Sequence, residues 1–229
     1  MRFLNLTIND FKFQKKYGIL LIYAIFTLFY IFILKAIPSS ISNQVGTILV
    51  FTDPAAMGLF FMGANILLEK SQRINFTIVT CPISVNEYIL SKCLSIMITS
   101  TMVGVLIMLI AFGTINIFGV ISIALSSILF SLCGLFVASK VNSLNEFSIF
   151  TVPFELAISL PAIFYIFGYL KDDIFILHPG IASMRLLNSS DSSLLLLCII
   201  SIVFWAGVMM FLTNKSIKKH YFKMGGKKS

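Results

Sequence analysis

Six stretches of about 20 mostly apolar residues run through the chain, and they constrain its fold more than any other feature. A helix needs roughly 20 such residues to cross the hydrocarbon core of a bilayer. Only 11% of the 229 residues are charged, against about 25% in a soluble domain. We therefore expect an all-α integral membrane protein with one transmembrane domain over residues 1–229. The predicted spans are 18–37, 48–68, 93–115, 117–139, 148–170 and 194–213, and the third and fourth are separated only around Asn116.

Basic residues are distributed unevenly among the segments that connect these spans. An even number of spans places both termini on the same side. If that side is the cytoplasm, only Lys35, Lys171 and Arg185 of the 17 Lys and Arg lie outside. Short cytoplasmic loops are enriched in Lys and Arg. We therefore predict a multi-pass protein of the cell membrane, with cytoplasmic termini and a basic tail over 214–229. The same distribution accounts for the net charge of +8 without a nucleic-acid partner.

Two segments outside the spans carry a pattern of their own. Residues 1–17 place Leu4, Ile8 and Phe11 at intervals of four and three, which is typical of an amphipathic helix lying in the membrane interface. The alternative is a frayed basic tail, since Leu4, Leu6 and Ile8 also alternate as in a strand. In the predicted outer loop, residues 175–187 are apolar enough to re-enter the membrane, provided that protein or water satisfies their backbone.

Metal-ligating residues are few and scattered. The four cysteines include no C-x-x-C pair, and only His178 and His220 are available as imidazole ligands. We therefore predict neither a metal site nor a disulfide framework.

Two acidic residues fall inside predicted spans, where an ionised carboxylate costs about 2.5 to 3.5 kcal/mol on insertion scales. Asp53 and Glu155 are therefore candidates for a translocation path. Each has a structural alternative: Asp53 precedes Pro54 and fits a helix N-cap, and Glu155 is close enough to the predicted cytoplasmic face to reach headgroups.

The fourth span carries a narrow stripe of small residues, which allows another helix to approach closely. That helix belongs either to the same protomer or to a second one, and packing within the protomer is the simpler alternative. The stripe comprises Ala124, Ser127, Ser131, Gly134 and Ala138.

The longest predicted cytoplasmic connection runs from Glu69 to Lys92. Its apolar residues are too many for a disordered linker, so we expect a structured element, interrupted at Pro82 and followed by a helix that Asn86 caps. It is either a surface helix on the headgroups or a docking element for a cytoplasmic partner. For a docking element, Tyr88 and Ile83 are the expected anchors, and Glu87 and Lys92 would set orientation by charge.

Several short motifs resemble the ABC-2 type permeases, and within them most closely the group of fluoroquinolone or multidrug export permeases. The motifs follow one another over nearly the whole chain and are densest between residues 53 and 92. They are DP-x-x-x-G-x-F-F-x-G-A at 53–64, L-L-E-K at 67–70, T-x-P-I-S at 80–84, E-Y-I-L-S-K at 87–92 and S-L-N-E-F at 143–147.

This resemblance implies a six-span permease subunit that pairs with a second permease subunit and with a separate cytosolic ATPase. A coupling helix between spans two and three would contact the ATPase. By position, the coupling loop comprises Glu69, Lys70, Arg73, Thr80, Pro82, Ile83, Glu87, Tyr88 and Lys92, and the second cytoplasmic loop contributes Ser143, Asn145 and Glu146. The family supplies no catalytic residue, so ATP and Mg²⁺ would bind to the partner rather than to this chain.

The residues themselves give the same expectation about ATP. The one Gly-Lys pair, Gly226-Lys227, has Tyr221 where a phosphate-binding G-x-x-x-x-G-K-[ST] loop needs its first glycine. We therefore expect a non-catalytic subunit that exports an apolar or amphipathic compound. The alternatives are a proton-coupled secondary transporter using Asp53 and Glu155, which both lie near prolines in equivalent spans of two three-span halves, and a membrane scaffold without transport activity.

Overall fold

The structure is a computed structural model that describes residues 2–74, 83–170, 172–188 and 194–222. Every regular element in these ranges is helical, and six helical segments there are long and apolar enough to cross a membrane. The predicted all-helical, six-span architecture is confirmed to that extent. The helices are α1 (Arg2–Lys16), α2 (Ile19–Ala36), α3 (Ser39–Ala56), α4 (Met62–Ser71), α5 (Val85–Phe112), α6 (Ile117–Lys140), α7 (Leu144–Ile166), α8 (Pro179–Asn188) and α9 (Leu195–Ile217).

Three shorter helical elements complete the described chain. A π-helical turn, Met57–Phe61, joins α3 to α4, so the second candidate span runs continuously over Asn43–Ser71. A 3₁₀-helix, Asp173–Leu177, precedes α8, and a second π-helical turn, Lys218–Phe222, extends α9.

Several helices begin or end a few residues away from the predicted spans. The third span begins within a helix that starts at Val85 rather than at 93, and the helix of the fifth span covers Leu144–Ile166 instead of 148–170. Helical structure also continues to Phe222, into the predicted tail. Hydropathy locates only the apolar part of a helix, whereas the backbone ladder continues until a cap or a turn ends it. The separation of the third and fourth spans is as predicted: Gly113, with a φ of 70°, ends α5, and the Asn116 side chain caps α6.

The helix α6 lies at the centre of the bundle and packs against α5, α9 and the first π-helical turn. The small residues of α6 make this contact possible, because a Cβ placed on Gly134 would stand 2.4 Å from the carbonyl oxygen of Leu59. Gly58, on the π-helical turn, is equally close to α6, with a virtual Cβ 2.8 Å from the backbone nitrogen of Ser131. The small-residue stripe therefore serves packing within the protomer.

The segment predicted to re-enter the membrane folds as the 3₁₀-helix and α8. Residues Pro179–Leu187 are buried, and α8 contacts α6, α7 and α9. The Nε2 of His178 lies 2.9 Å from the carbonyl oxygen of Ala157, and Arg185 donates to Asp173 at 2.8 Å. Protein therefore surrounds α8, as re-entry would require, whereas Ile174 and Leu177 of the 3₁₀-helix are exposed; the depth of the segment in a membrane stays a prediction.

Contacts between helix ends define one end of the bundle, called here the basic end. It comprises α1, the end of α4, the start of α5, the end of α6 and the end of α9. Hydrogen bonds join these ends directly, including Ser139 to Ser216 at 2.6 Å. Its basic residues are Lys12, Lys15, Lys16, Lys70, Arg73, Lys92, Lys140, Lys215, Lys218 and Lys219. The opposite end carries Lys35 and Arg185, so the charge asymmetry of the sequence is also an asymmetry in space.

Candidate functional site

An ionic cluster at the basic end joins three helices. The ammonium group of Lys92, at the start of α5, forms salt bridges with Asp10 of α1 at 2.5 Å and with Glu69 of α4. All three side chains are at most 10% exposed. The Tyr88 hydroxyl donates to the second oxygen of Glu69 at 3.0 Å, and the Ser91 hydroxyl lies 3.2 Å from Asp10.

The arrangement of this cluster follows from the pattern of α1. Thr7, Asp10 and Gln14 are spaced by three and four residues, so they lie on one face of the helix, and all three are buried. Gln14 extends the contact by donating to Ser95 of α5 at 3.0 Å. The apolar residues Leu4 and Ile8 are 62% and 50% exposed. A helix at the N-terminus was therefore predicted correctly, and the frayed tail was wrong, but it is the polar face that packs on the bundle.

The ionic cluster stabilises the fold only when all three charged side chains are present. A buried charge whose partner is removed costs about 3 to 5 kcal/mol, because it cannot recover its hydration. Two buried carboxylates share one buried ammonium here, so each helix requires the other two. The end of α4 and the start of α5, which flank residues 75–82, are thereby held together and held to α1.

Lys70 fixes the end of α4 to another helix. Its ammonium group donates to the carbonyl oxygens of Ala138 at 2.7 Å and Val141 at 2.8 Å, at the carboxyl end of α6. A cation at this position satisfies carbonyl groups that lack partners within a helix and complements its dipole. Lys70 thus links the second span to the central helix.

Ser84, rather than Asn86, caps α5. Its hydroxyl accepts from the backbone N–H of Glu87 at 3.2 Å, and the Glu87 carboxylate accepts from the backbone N–H of Ser84 at 2.8 Å. The S-x-x-E spacing of this capping box was visible in the sequence. Asn86 instead bonds to Asn214 at the end of α9.

Apart from Lys70 and Glu87, which bond to α6 and to the start of α5, the predicted coupling-loop residues fall into three groups. Glu69, Tyr88 and Lys92 are buried in the ionic cluster: Tyr88, one of the two predicted anchors, is 4% exposed and its hydroxyl is bonded within the chain. Arg73 is exposed and Ile83 is half-buried, at the two edges of the undescribed segment. The expected coupling helix itself, with Thr80 and Pro82, lies outside the described residues.

Arg73 has an unusual backbone conformation. Its φ of 59° is the one positive φ of a non-glycine residue in the described chain, and Arg73 follows Gln72, the C-cap residue of α4. Glycine is the usual residue there, since the left-handed conformation costs other residues roughly 1 to 2 kcal/mol.

Two residues of the second predicted cytoplasmic loop, Ser143 and Glu146, cap the start of α7. Ser143 accepts from the backbone N–H of Glu146 at 3.2 Å, and the Glu146 carboxylate accepts from the backbone N–H of Asn142 at 3.2 Å. Asn145 is exposed on the first turn. The loop lies at the basic end, because the carbonyl oxygen of Val141, just before it, accepts a hydrogen bond from Lys70.

The two intramembrane acids lie in different environments. Asp53 is fully buried and accepts a hydrogen bond from the Tyr23 hydroxyl of α2. The N-cap interpretation of Asp53 was wrong, because α3 continues through Pro54 to Ala56. Glu155 is half-exposed on α7 and forms no hydrogen bond or ion pair with the described residues. The structure does not bring the two acids together.

No protein-family model matches the chain, and no curated protein matches it in sequence. Function must therefore be argued from the residues and their geometry. Sequence reasoning overlooked Asp10, Gln14 and Tyr23. The signal for the first two was the polar spacing of three and four residues within α1; Tyr23 carried none, since tyrosine is common in apolar spans.

Proposed function

We propose that this chain is the membrane-spanning subunit of an ATP-driven exporter for an apolar or amphipathic compound. ATP is hydrolysed in a separate cytosolic ATPase that binds at the basic end and itself holds ATP and Mg²⁺. A second permease subunit, identical or homologous, completes the transporter in the cell membrane. The resemblance to ABC-2 type permeases and the lack of a phosphate-binding loop support this assignment.

The observation that carries the proposal is the way in which the two helices that flank residues 75–82 are anchored. They are joined to each other through Glu69 and Lys92, to α1 through Asp10, and to α6 through Lys70. A displacement imposed on that segment would therefore pass to several spans together. A passive surface loop would not need this anchoring.

Contact with the ATPase is assigned to exposed residues, and the buried ones hold them in place. Arg73 is the leading contact residue, because it is exposed and adopts a left-handed conformation that is unfavourable for a residue with a side chain. Such backbone strain is common at functional sites. Ile83 stands at the opposite edge. Glu69, Tyr88 and Lys92 position both edges.

The source of energy for transport tests this proposal directly. The chain is purified from its own cells with the proteins bound to it, reconstituted in vesicles, and assayed for efflux driven by ATP or by a pH gradient. We expect ATP-dependent efflux and ATP hydrolysis by a co-purified chain that carries a G-x-x-x-x-G-K-[ST] loop. Efflux by the isolated chain driven by a pH gradient alone would contradict the proposal.

A pair of matched variants tests the docking surface. Arg73→Asn removes the charge and keeps a residue that tolerates the left-handed conformation, so we expect an unchanged unfolding midpoint and loss of the bound ATPase. Lys12→Asn removes an exposed charge from α1 at the same end and should retain the ATPase. Equal retention of the ATPase by both variants would remove Arg73 from the interface.

The second candidate function, a proton-coupled secondary transporter, is favoured by one observation. Asp53 is a fully buried carboxyl in a candidate membrane span, and such residues commonly serve proton paths. This alternative leaves the anchored ends of α4 and α5 without a role, and Glu155 forms no hydrogen bond or ion pair with Asp53. The vesicle assay above separates the two candidates.

A further inference from the structure

A groove of about 600 Å³ runs along one face of α9 at the basic end, and Asn86 of α5 contributes to its lining. It is called here the α9 groove. The other lining residues are spaced by three and four positions, so they form one continuous stripe along the helix. In chain order they are Gly207, Met210, Phe211, Asn214, Lys215 and Lys218.

The two parts of the α9 groove differ in chemistry. Its apolar part, formed by Gly207, Met210 and Phe211, lies within the predicted sixth span, which ends at residue 213. Its polar part follows directly along the helix and comprises Asn214, Lys215 and Lys218. The groove therefore extends from the predicted hydrocarbon region into the predicted headgroup region.

The polar part offers several donors to a ligand. Lys215 and Lys218 are exposed, and their ammonium groups form no hydrogen bond or ion pair with the described residues. Asn214 donates to the side-chain oxygen of Asn86, which leaves the amide nitrogen of Asn86 able to donate as well. None of the described residues that line the groove is acidic. This end of the groove is therefore suited to an anion such as a phosphate diester.

The apolar part is open, because the protein itself does not fill it. A Cβ placed on Gly207 meets nothing within 4 Å, and Phe211 is 69% exposed. A free phosphate ion would leave these residues uncovered. A phospholipid carries a charged headgroup followed by an acyl chain, in the same order as the polar and apolar parts of the groove.

We infer that the α9 groove binds an anionic phospholipid, with its phosphate between Lys215 and Lys218 and an acyl chain along Gly207 and Phe211. Basic pockets between transmembrane helices on the cytoplasmic side are suited to anionic headgroups, which agrees with the predicted orientation. A zwitterionic lipid binds less tightly, since it carries a cationic group beside the same phosphate. The inference is independent of the proposed export function.

Lipid binding to the purified chain tests the inference. The chain in detergent micelles is titrated with phosphatidylglycerol or with phosphatidylcholine of the same acyl chains, and native mass spectrometry gives the Kd of the first bound lipid. A lysine near an anionic headgroup contributes about a fivefold gain in affinity. We therefore expect phosphatidylglycerol to bind at least about fivefold more tightly than phosphatidylcholine.

Two matched double variants test the polar part. Lys215→Gln combined with Lys218→Gln should lower the affinity for phosphatidylglycerol by at least about tenfold and abolish the preference over phosphatidylcholine. Lys12→Gln combined with Lys15→Gln removes the same charge from exposed positions of α1 and should retain both the affinity and the preference. Unfolding midpoints should be unchanged, because all four lysines are exposed.

A single substitution tests the apolar part. Gly207→Leu places a side chain in the open space of the groove, and leucine also favours a helix more than glycine does, so the fold is retained. We expect this variant to bind phosphatidylglycerol severalfold more weakly. Glycerol 3-phosphate, which has the charge without acyl chains, should not displace the bound lipid.

Four outcomes would overturn the inference. An equal loss of affinity in both double variants would indicate attraction by the general surface charge. Full affinity of Gly207→Leu, or displacement by glycerol 3-phosphate, would indicate a site for phosphate alone. If the variant lacking Lys215 and Lys218 loses the co-purified ATPase and keeps its affinity for phosphatidylglycerol, the groove belongs to the ATPase contact.

Discussion

Lys92 and Asp10 are 82 positions apart in the chain, yet their charged groups lie 2.5 Å from each other in a buried contact between α5 and α1. Glu69 contacts the same ammonium group. The amphipathic N-terminal helix is therefore an integral part of the bundle, attached by its polar face.

Removing the shared cation should destabilise the protein strongly. Lys92→Met leaves Asp10 and Glu69 buried without a counter-charge, and we expect a loss of about 3 to 5 kcal/mol in the free energy of unfolding. This loss in the free energy of unfolding is measured by thermal or denaturant unfolding in detergent. Lys215→Met, at an exposed site of the same end, is the control and should have little effect.

Neutralising the acids together with the lysine should recover part of this loss. The triple variant Lys92→Met, Asp10→Asn, Glu69→Gln buries no unpaired charge, so it should be more stable than Lys92→Met alone. If Lys92→Met is as stable as the unchanged chain, the ionic cluster does not hold the helices together.

The contact between α6 and the first π-helical turn predicts a sharp difference between two glycines. Gly134→Ala places a methyl group against the backbone oxygen of Leu59, which cannot rotate away, so we expect a loss of about 1 to 3 kcal/mol. Gly207→Ala on α9 meets nothing within 4 Å and should be neutral or stabilising by up to about 1 kcal/mol. Unfolding midpoints of both variants check this; equal effects would contradict the close packing.

The orientation of the bundle is testable by cysteine labelling of intact cells. In a cysteine-free background, a single cysteine at Thr114, exposed at the opposite end, should react with an impermeant maleimide. A cysteine at Ser71, exposed at the basic end, should react only after permeabilisation. Labelling of Ser71 in intact cells would reverse the orientation and place the proposed ATPase contact on the wrong side.

Protonation of His178, at the start of α8, should make the free energy of unfolding depend on pH in the acid range. Burial lowers the pKa of His178 below its usual 6.5, despite its hydrogen bond to Ala157. As the pH falls through 6.5, the unfolded chain gains the proton first, so the folded state loses stability until the folded pKa is passed. His178→Gln keeps a side-chain donor and removes the titration.

The difference between the two proteins isolates this effect from other titrating groups. The unfolding midpoint of the unchanged chain minus that of His178→Gln should be constant above about pH 7 and should fall below about pH 6.5. A difference that stays constant down to pH 5 would show that His178 does not titrate between the two states.

The sequence by itself determined the all-helical class and the six apolar spans. Span length, apolar composition and the break at Gly113 to Asn116 are local properties, so they can be recognised from consecutive residues alone. The capping box of Ser84 and Glu87 is an equally local signal, although the helix cap was predicted at Asn86. The uneven distribution of basic residues likewise carried over directly into the basic end of the structure.

Only the tertiary structure decided which polar residues meet. Tyr23 and Asp53 are 30 positions apart, and Asp10 and Lys92 are 82 apart, so no local pattern specifies either pair. Burial then decides the roles of residues in the predicted surface loop: Lys92 is interior because Asp10 on the polar face of α1 pairs with it, and Tyr88 is interior beside Glu69 of α4. A charged side chain inside a membrane protein needs a partner, and helix packing alone selects that partner from several equally suitable candidates in the sequence.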